Sequence, residues 1–329
     1  MSRPHAPAAL EVIEYTDPLC PWAWGAEPVF RRLRAALRPS GPAGPADSAG
    51  PVGATGAAGA AGRVVWRRVY GILFDHDDDP APDPAAETAW YARYVEDIGA
   101  HTGAPRAARL GRVAASSWPA SLVATAAALQ GDGVAERVLR RLRETVFVLG
   151  EPADTLPLAL SAADGTPGLD PARLAADAAS GTVLERVRAD RAEARRPVPE
   201  AFGVRDDVPH PGAAKETPEG GHRYALPTLL LRGPVGHRLV PGLRPYAACA
   251  DAVEALCPGL PVTPPALPAA DALARYRSLT EPERRVLARG AWPPPGAVRV
   301  DTGNGPLWLH PDEAATHPAT RPSGRTGPA

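Results

Sequence analysis

Apolar and charged residues alternate near the start of the chain, and apolar residues then recur at a helical spacing. In 11–15, Val12, Ile13 and Tyr15 supply the β-branched and aromatic residues of a short strand. Apolar residues at 29, 30, 33 and 37 follow a helical period, and Pro21 suits the first position of that helix because no N–H is needed there. The pattern therefore predicts a strand, a tight turn and a helix over 11–37.

A second apolar run, RVVWRRVYGILF at 63–74, is typical of a strand, so the start of the chain predicts a βαβ unit. The stretch 39–62 is too poor in large apolar residues to pack, and we expect a flexible surface loop there. Residues 1–10 are interpreted as an N-terminal tail.

From about 85 to 200 the apolar spacing is almost wholly helical. It predicts five helices, over 87–103, 116–130, 133–150, 168–181 and 182–196. Strand character returns at 224–231 and 237–240, which predict an antiparallel hairpin, and 246–256 has the spacing of an amphipathic helix. A helical block is thus predicted between the strands of one sheet.

The last part of the chain predicts a small α+β extension over 258–310. A proline-rich linker comes first, a helix follows near 270–277, and Thr280 and Glu283 have capping-box spacing for another. Two short strands around Asn304 and Gly305 complete a module that resembles a small winged helix. Residues 311–329, rich in proline, threonine and alanine, are expected to be a disordered terminus.

The composition of the chain excludes some classes of binding partner. The net charge of the 329 residues is −1 and the pI is about 6.7, so no excess of basic charge is available for a polyanion. Since the extension also lacks a basic recognition helix, no nucleic-acid partner is expected. The start lacks a secretory signal pattern, and no apolar run approaches the roughly 18 residues that span a bilayer. We expect no membrane association and a cytoplasmic location.

One feature of the sequence suggests a metal site and another suggests a disulfide, but neither is predicted to form. The acids around His76 in 75–84 lack a second, distant set of ligands, so they predict a solvated loop and no metal site. Cys249 and Cys257 lie eight residues apart on one predicted helix, which separates their Cα atoms by about 12 Å and prevents a disulfide. The cysteine count accords with a reducing compartment.

Cys20 is different, because it falls where the first helix begins. Unpaired N–H groups and the positive end of the helix dipole favour a thiolate there, so we expect a lowered pKa for this thiol. The active-site turn would comprise Cys20, Pro21, Trp22 and Ala23.

Three features follow one another along the chain: the sequence DPLCPWAWGAEPVFRRL after a strand, a long helical insertion, and ALPT in a strand before a last helix. This arrangement resembles the DsbA family of thioredoxin-fold proteins. The likeness covers 11–257 and is strongest to the cytoplasmic FrnE-like and SpxH-like branch. It implies an α/β thioredoxin-like fold with a large all-helical insertion. It also implies that Cys20 is the attacking thiol, and that Leu226, Pro227 and Thr228 form a substrate-binding loop whose X-Pro bond is a candidate for the cis form.

The chain departs from the family pattern at Ala23, where redox-active members carry a resolving cysteine. A dithiol site releases its mixed disulfide through that second thiol, so an external thiol would be needed here. Cys249 and Cys257 lie on a distant helix of the fold. We therefore expect no bound cofactor, and glutathione or mycothiol as a low-molecular-weight co-substrate.

Three hypotheses follow. The first is monothiol exchange between Cys20 and a protein or small-molecule disulfide. The second is a non-redox enzyme like the kappa-type glutathione transferases or hydroxychromene-carboxylate isomerases, in which the helix N-terminus stabilises a cofactor thiolate. The third is an inactive peptide-binding adaptor, with the C-terminal module as a further surface for a protein partner.

Side chains near the predicted turn have simpler interpretations. Trp22, Trp24 and Trp118 are candidates for the lining of a groove, but aromatic residues are more often core residues, which is the favoured interpretation. Ser116 and Ser117 are candidates for a hydroxyl contact to substrate, and an ordinary helix N-cap is the favoured interpretation.

Overall fold

The computed structural model describes residues 10–37, 64–75, 82–204 and 206–321. The predicted loop 39–62, nearly all of the predicted N-terminal tail, and most of the acidic stretch around His76 lie outside these ranges. In the described residues the strands are β1 (Leu10–Thr16), β2 (Val64–Tyr70), β3 (Ala214–Glu216), β4 (His222–Tyr224), β5 (Thr228–Gly233), β6 (Gly236–Pro241), β7 (Leu267–Pro268), β8 (Ser278–Thr280), β9 (Ala288–Arg289), β10 (Val298–Val300) and β11 (Leu307–Leu309).

The α-helices of the same ranges are α1 (Pro21–Leu37), α2 (Pro84–Thr102), α3 (Trp118–Ala128), α4 (Asp132–Glu144), α5 (Leu156–Ala163), α6 (Pro171–Ala178), α7 (Gly181–Ala194), α8 (Tyr246–Leu256), α9 (Ala269–Tyr276), α10 (Glu281–Leu287) and α11 (Pro311–Ala314). A π-helical turn at Thr145–Leu149 continues α4, and 3-10 turns lie at Pro199–Gly203 and Pro318–Thr320.

A four-stranded sheet in the order β2-β1-β5-β6 forms the centre. β1 pairs with β2 in parallel through α1, which confirms the βαβ unit, and β5 pairs antiparallel with both β1 and β6. Because successive side chains of β1 point to opposite faces, Val12 packs with α8 on one face while Ile13 and Tyr15 pack on the other. In the helical block α2–α7, helices α3–α7 share an apolar core with Leu19, Tyr70 and Leu307, whereas Ile98 of α2 packs in the cluster that contains Cys20.

Most predicted helices are present, including α6 with Asp170 as its N-cap and α10 with a complete capping box between Thr280 and Glu283. The structure adds α5, which the pattern analysis does not assign. The strand predicted over 224–231 is shorter: β5 begins at Thr228, and Tyr224 pairs in β4 instead. Pro227, which has no N–H for a sheet hydrogen bond, lies at the break.

The expected disordered terminus is wrong for 311–321. This segment forms α11 and a 3-10 turn, and the side chains of Glu313 and His317 are buried. Glu313 accepts a hydrogen bond from Arg141 of α4 at 2.5 Å. Composition alone predicted disorder because proline and threonine are abundant, but two buried polar side chains fix the segment to the helical block.

A cluster of buried charges joins α4 to the extension. Arg140 donates to both carboxylate oxygens of Glu283, at 2.8 and 2.9 Å, and to Glu144 at 2.6 Å. Glu144 also accepts from Ser278 Oγ at 2.5 Å, and its other oxygen lies 2.9 Å from His317 Nε2. We call these five residues the extension cluster. All five residues are buried, so a charged member that lost its partner would be left uncompensated inside the protein. The cluster therefore binds the extension to the helical block.

A second buried group of charges adjoins it on α1 and β1. Arg34 donates to Glu14 at 3.0 Å and to Glu27 at 2.6 Å, and Arg143 of α4 donates to Glu27 at 2.5 Å. Burial raises the pKa of Glu27, but the nearby arginines outweigh it and lower the pKa to about 2. The second half of α1 is therefore held to β1 and α4 by buried ion pairs.

Replacement of Arg140 by methionine tests the extension cluster. Arg140→Met leaves two carboxylates buried without their shared cation, so we expect the free energy of unfolding to fall by about 3–5 kcal/mol. Urea denaturation followed by circular dichroism measures the change. Arg188→Met, which breaks an exposed pair with Glu185, is the matched control and should cost less than about 1 kcal/mol. Similar losses in the two variants would contradict the assigned role of the cluster.

Candidate functional site

Cys20 occupies the N-cap of α1. Its backbone N–H donates to Asp17 O at 3.3 Å, and its carbonyl accepts the first helical hydrogen bond from Trp24 N at 3.1 Å. Pro21 is the first helical residue, as predicted. The turn after β1 thus holds the sulfur at the positive end of a 17-residue helix.

The thiol of Cys20 lies against the loop before β5. Its Sγ donates to Leu226 O at 3.3 Å, and the Leu226–Pro227 peptide bond is cis. A Cβ on Gly71 would lie 2.9 Å from Leu226 Cδ1, so a glycine allows this loop to approach β2. The hydroxyl of Thr228 donates to Ala225 O at 2.6 Å inside the loop. The structure therefore brings Cys20, Leu226 and Pro227 together, with Thr228 stabilising the turn.

Burial overrides the helix N-terminus at this thiol. Only 2% of Cys20 is exposed, and burial raises the pKa of the thiol to about 11; the backbone N–H groups of Ala23 and Trp22 and the charge of Arg223 lower it, while Asp17 raises it. The expectation of a lowered pKa is wrong for this conformation. The helix N-terminus acts in the expected direction, but removing the thiolate from water costs more.

An aromatic cover encloses the site. It consists of Trp22, Tyr94 and His210. The Trp22 ring stacks on His210 with centroids 4.9 Å apart, and its Nε1 donates to Tyr94 Oη at 2.7 Å. Tyr94 in turn stacks on Trp90, a residue that is 57% exposed. Trp22 belongs to the apolar cluster that contains Cys20, and Tyr94 packs against that cluster.

Ala23 is fully buried beside Cys20, and the other two cysteines lie elsewhere. Cys249 lies on α8 and packs with Val12, on the opposite face of the sheet from Cys20 and Tyr15. Burial raises the pKa of Cys249 to about 12. A second thiol cannot reach Cys20 from α8 in this fold.

Asp17 is a buried acid that the sequence analysis did not single out. It accepts hydrogen bonds from Leu19 N and Leu73 N, each at 2.8 Å, and from Ser117 Oγ at 3.0 Å. Burial raises the pKa of Asp17 to about 6, against these three hydrogen bonds, which lower it. One carboxylate thus ties the Cys20 turn to the end of β2 and the start of α3.

The predicted roles of the neighbouring serines and tryptophans change in detail. Ser117 stands at the N-cap of α3 but makes no side-chain cap; its hydroxyl bonds to Asp17 and to Phe74 N. Ser116 Oγ accepts from Trp118 N at 3.2 Å. Trp22 and Trp24 are buried, and Trp118 donates to Asp75 at 2.9 Å. His210 and Tyr94 were missed because nothing local in the sequence links either of them to Cys20.

No group of three metal-ligating side chains occurs within the described ranges. Across those same ranges, none of the helices combines the length and apolar character required to cross a bilayer.

No protein-family model and no curated protein matches the chain. Among solved structures it is similar to a candidate protein disulfide isomerase from Nitrosomonas europaea, with 14% identity, a TM-score of 0.52, and coverage of 75% of this chain and 96% of that one. It also matches the cytosolic disulfide reductase DsbM from Pseudomonas aeruginosa, with 15% identity, a TM-score of 0.43, and coverage of 70% and 88%. A candidate DsbA oxidoreductase from Streptomyces coelicolor, SCO1869, matches with 17% identity, a TM-score of 0.45, and coverage of 75% and 89%.

At these identities the likeness shows the fold. The chain has the α/β thioredoxin-like fold with a large helical insertion that its sequence predicts, and the small α+β extension lies at its C-terminal end.

The titration of Asp17 can be measured through stability. Its pKa is about 6 in the folded protein, against 3.8 as the ordinary value, so the folded state binds more protons between these pH values. The free energy of unfolding therefore falls as pH rises from about 4 to 6. Asp17→Asn removes this term, and the difference between variant and wild type should rise by about 3 kcal/mol from pH 4 to 7 in urea denaturation. Parallel curves for the two proteins would contradict the assignment.

His210→Ala tests the aromatic cover. Loss of the ring should expose Cys20 and move the thiol pKa from about 11 towards the ordinary 9.0. Because the thiolate is the nucleophile, alkylation of Cys20 by N-ethylmaleimide at pH 8 should accelerate about 10- to 100-fold. Mass spectrometry of the Cys20 peptide gives the rate. The control is His237→Ala on β6, whose side chain is 40% exposed, and an unchanged rate in His210→Ala would refute the role of the cover.

Proposed function

We propose that this protein is a DsbA-type thiol-disulfide oxidoreductase that works through the single thiol of Cys20. The observation that carries the proposal is the contact between Cys20 Sγ and Leu226 O at the start of α1, beside the cis Leu226–Pro227 bond. A nucleophile is thereby placed next to a loop with backbone groups that an extended substrate would meet.

The exchange would proceed in two balanced steps. The Cys20 thiolate attacks one sulfur of a disulfide, forms a mixed disulfide with it, and releases the other sulfur as a thiolate. A low-molecular-weight thiolate then attacks the substrate sulfur of the mixed disulfide, forms a disulfide with it, and releases Cys20 as a thiolate. No net change in oxidation state occurs at Cys20, and the external thiol supplies the reducing electrons.

Two features of the site set the conditions for this chemistry. Ala23 offers no internal thiol, so turnover depends on the external one. The raised pKa of Cys20 keeps the thiol protonated under the closed cover. We therefore infer that substrate binding and opening of the cover precede attack. A reducing cytoplasm, with its pool of small thiols, is the compartment that fits this requirement.

The transferase- or isomerase-type alternative is less well supported by the geometry. It needs the N–H groups at the start of α1 to stabilise the thiolate of a bound cofactor. In this structure the N–H groups of Trp22 and Ala23 act on the sulfur of Cys20 itself. The position that such a cofactor would use is occupied by a side chain of the protein.

The adaptor hypothesis is the second candidate, and a specific observation favours it. A buried cysteine with a raised pKa is what remains when a thioredoxin-like site retains its shape without redox turnover. In that case Cys20→Ser would leave the binding of every partner unchanged. A protein partner for the C-terminal extension also stays a prediction.

The test combines wild type with Ala23→Cys and Cys20→Ser. Incubated with glutathione disulfide, wild type should accumulate a stable mixed disulfide at Cys20. A cysteine at position 23 lies one helical turn from Cys20, close enough for a disulfide, so Ala23→Cys should release glutathione and form an internal bond. Intact-mass and peptide mass spectrometry distinguish the products, and Cys20→Ser should give neither.

Monothiol exchange would be rejected if wild type forms no mixed disulfide at Cys20 under conditions in which the more exposed Cys257 reacts.

A further inference from the structure

The turn between β10 and β11 of the C-terminal extension contacts the end of α2 and the loop after it. The side-chain nitrogen of Asn304, Nδ2, donates to Gly99 O at 2.8 Å and to Ala104 O at 3.0 Å. The backbone N–H of the neighbouring Gly303 donates to Arg106 O at 2.7 Å. The extension therefore holds the end of α2 and the following loop through hydrogen bonds between parts of the chain that are distant in sequence.

This contact depends on glycines at two positions. A Cβ on Gly99 would lie 3.3 Å from Asn304 Nδ2, and a Cβ on Gly303 would lie 3.2 Å from Arg106 O. A side chain at either position would therefore push the two segments apart. The turn itself is fixed, because Asn304 N donates to Thr302 Oγ1 at 3.1 Å. Both segments are thus shaped for a close approach.

The loop after α2 also contacts the start of α1. Trp24 Nε1 donates to Pro105 O at 2.8 Å, and Pro105 lies between two of the residues whose carbonyl groups the extension holds. Trp24 follows Cys20 by one helical turn, and its backbone N–H donates to Cys20 O at 3.1 Å. Ile98, next to Gly99, packs in the apolar cluster that contains Cys20. A continuous series of contacts therefore connects the turn of the extension to the helix start that carries the thiol.

A cavity of about 180 Å³ lies where these parts meet. It is lined by Pro21 and Trp24 of α1, and by Gly99, Ala104 and Pro105 at the end of α2 and in the loop after it. A void leaves the side chains around it without contacts on one side, so packing alone holds them less firmly. The position of the start of α1 therefore depends on the hydrogen bonds around this cavity as well as on packing.

We propose that Asn304 is a positioning residue for the Cys20 site: its amide holds the end of α2 and the following loop against the start of α1, and so keeps Cys20 in its buried position. The C-terminal extension thereby controls how readily the thiol exchanges. If the amide N–H groups are lost, two carbonyl groups lose this donor and the loop that receives Trp24 is loosened. This inference rests on the proposed function of Cys20 and names a device that regulates it.

Asn304→Asp tests the proposal with a side chain of the same shape that lacks the amide N–H groups. When the loop loosens, water reaches the Cys20 turn and favours the thiolate, so we expect alkylation of Cys20 by N-ethylmaleimide at pH 8 to accelerate about 3- to 10-fold. Asn304→Ala should give a similar increase. Peptide mass spectrometry measures the rates, and the pH profile of Cys20 should move to lower pH because its thiol pKa falls from about 11.

A second cysteine and a second variant separate positioning from general destabilisation. Cys249 is 1% exposed and lies in a different apolar cluster from Cys20. Its alkylation rate should stay unchanged in the Asn304 variants, whereas a merely structural role for Asn304 would accelerate both thiols. Asp301→Ala is the matched control near the same turn, because this side chain is 81% exposed, and it should leave the Cys20 rate unchanged.

Cys20 rates and pH profiles that match wild type in both Asn304 variants, or an equal acceleration at Cys249, would overturn the inference. Incubation of the same samples with glutathione disulfide tests the proposed function separately. A mixed disulfide at Cys20 in every sample supports that function even when the Asn304 variants behave as wild type. If Cys20 forms none while Cys257 does, the proposed function is rejected, and the alkylation rates still decide whether Asn304 positions Cys20.

Discussion

The hydrogen bond from the Cys20 thiol to the Leu226 carbonyl joins residues 206 positions apart in the sequence, and the candidate site is built around it. It exists because β1 lies between β2 and β5 in the sheet, so the turn after β1 and the loop before β5 open at the same edge. The helical insertion lies between these two segments in the chain and covers their meeting point with Tyr94. The sheet order thus positions the site, and the insertion determines access to it.

The balance of forces at Cys20 explains why its surroundings matter more than its place on the helix. The N–H groups at the start of α1 and the charge of Arg223 favour a thiolate, while burial and Asp17 oppose it, and burial is the largest of these effects. Trp22 belongs to the apolar cluster that buries the sulfur, Tyr94 packs against that cluster, and His210 stacks on Trp22. The reactivity of the thiol is therefore controlled by residues from several segments of the chain.

The sequence predicted the fold well where the signals were local. Apolar spacing found α1 and the helical block, proline chemistry placed the start of α1, and the ALPT segment pointed to the loop opposite Cys20. It could not predict His210 over Trp22, because that contact depends on where a loop folds back after the insertion. It also assigned disorder to 311–321, since no local pattern shows that Glu313 and His317 find buried partners on α4.

For a related reason, the raised pKa of Cys20 could not be predicted from the sequence. A helix N-terminus is a local feature and is visible in Pro21 and the following period, whereas desolvation is the sum of every group that packs around the sulfur. Asp17 illustrates the same limit. Its position three residues before Cys20 is plain in the sequence, but its complete burial appears only when α3 supplies Ser117.

The extension cluster has a consequence for the order in which the chain is made. Arg140 and Glu144 are synthesised well before Ser278, Glu283 and His317, their partners in the folded protein. Until those partners emerge from the ribosome, Arg140 and Glu144 have only each other and water as partners among these groups. Domains generally fold as units during synthesis, from the N-terminal end. Here the residues up to His317 must leave the ribosome before that face of α4 is covered, so the extension cluster forms late in synthesis.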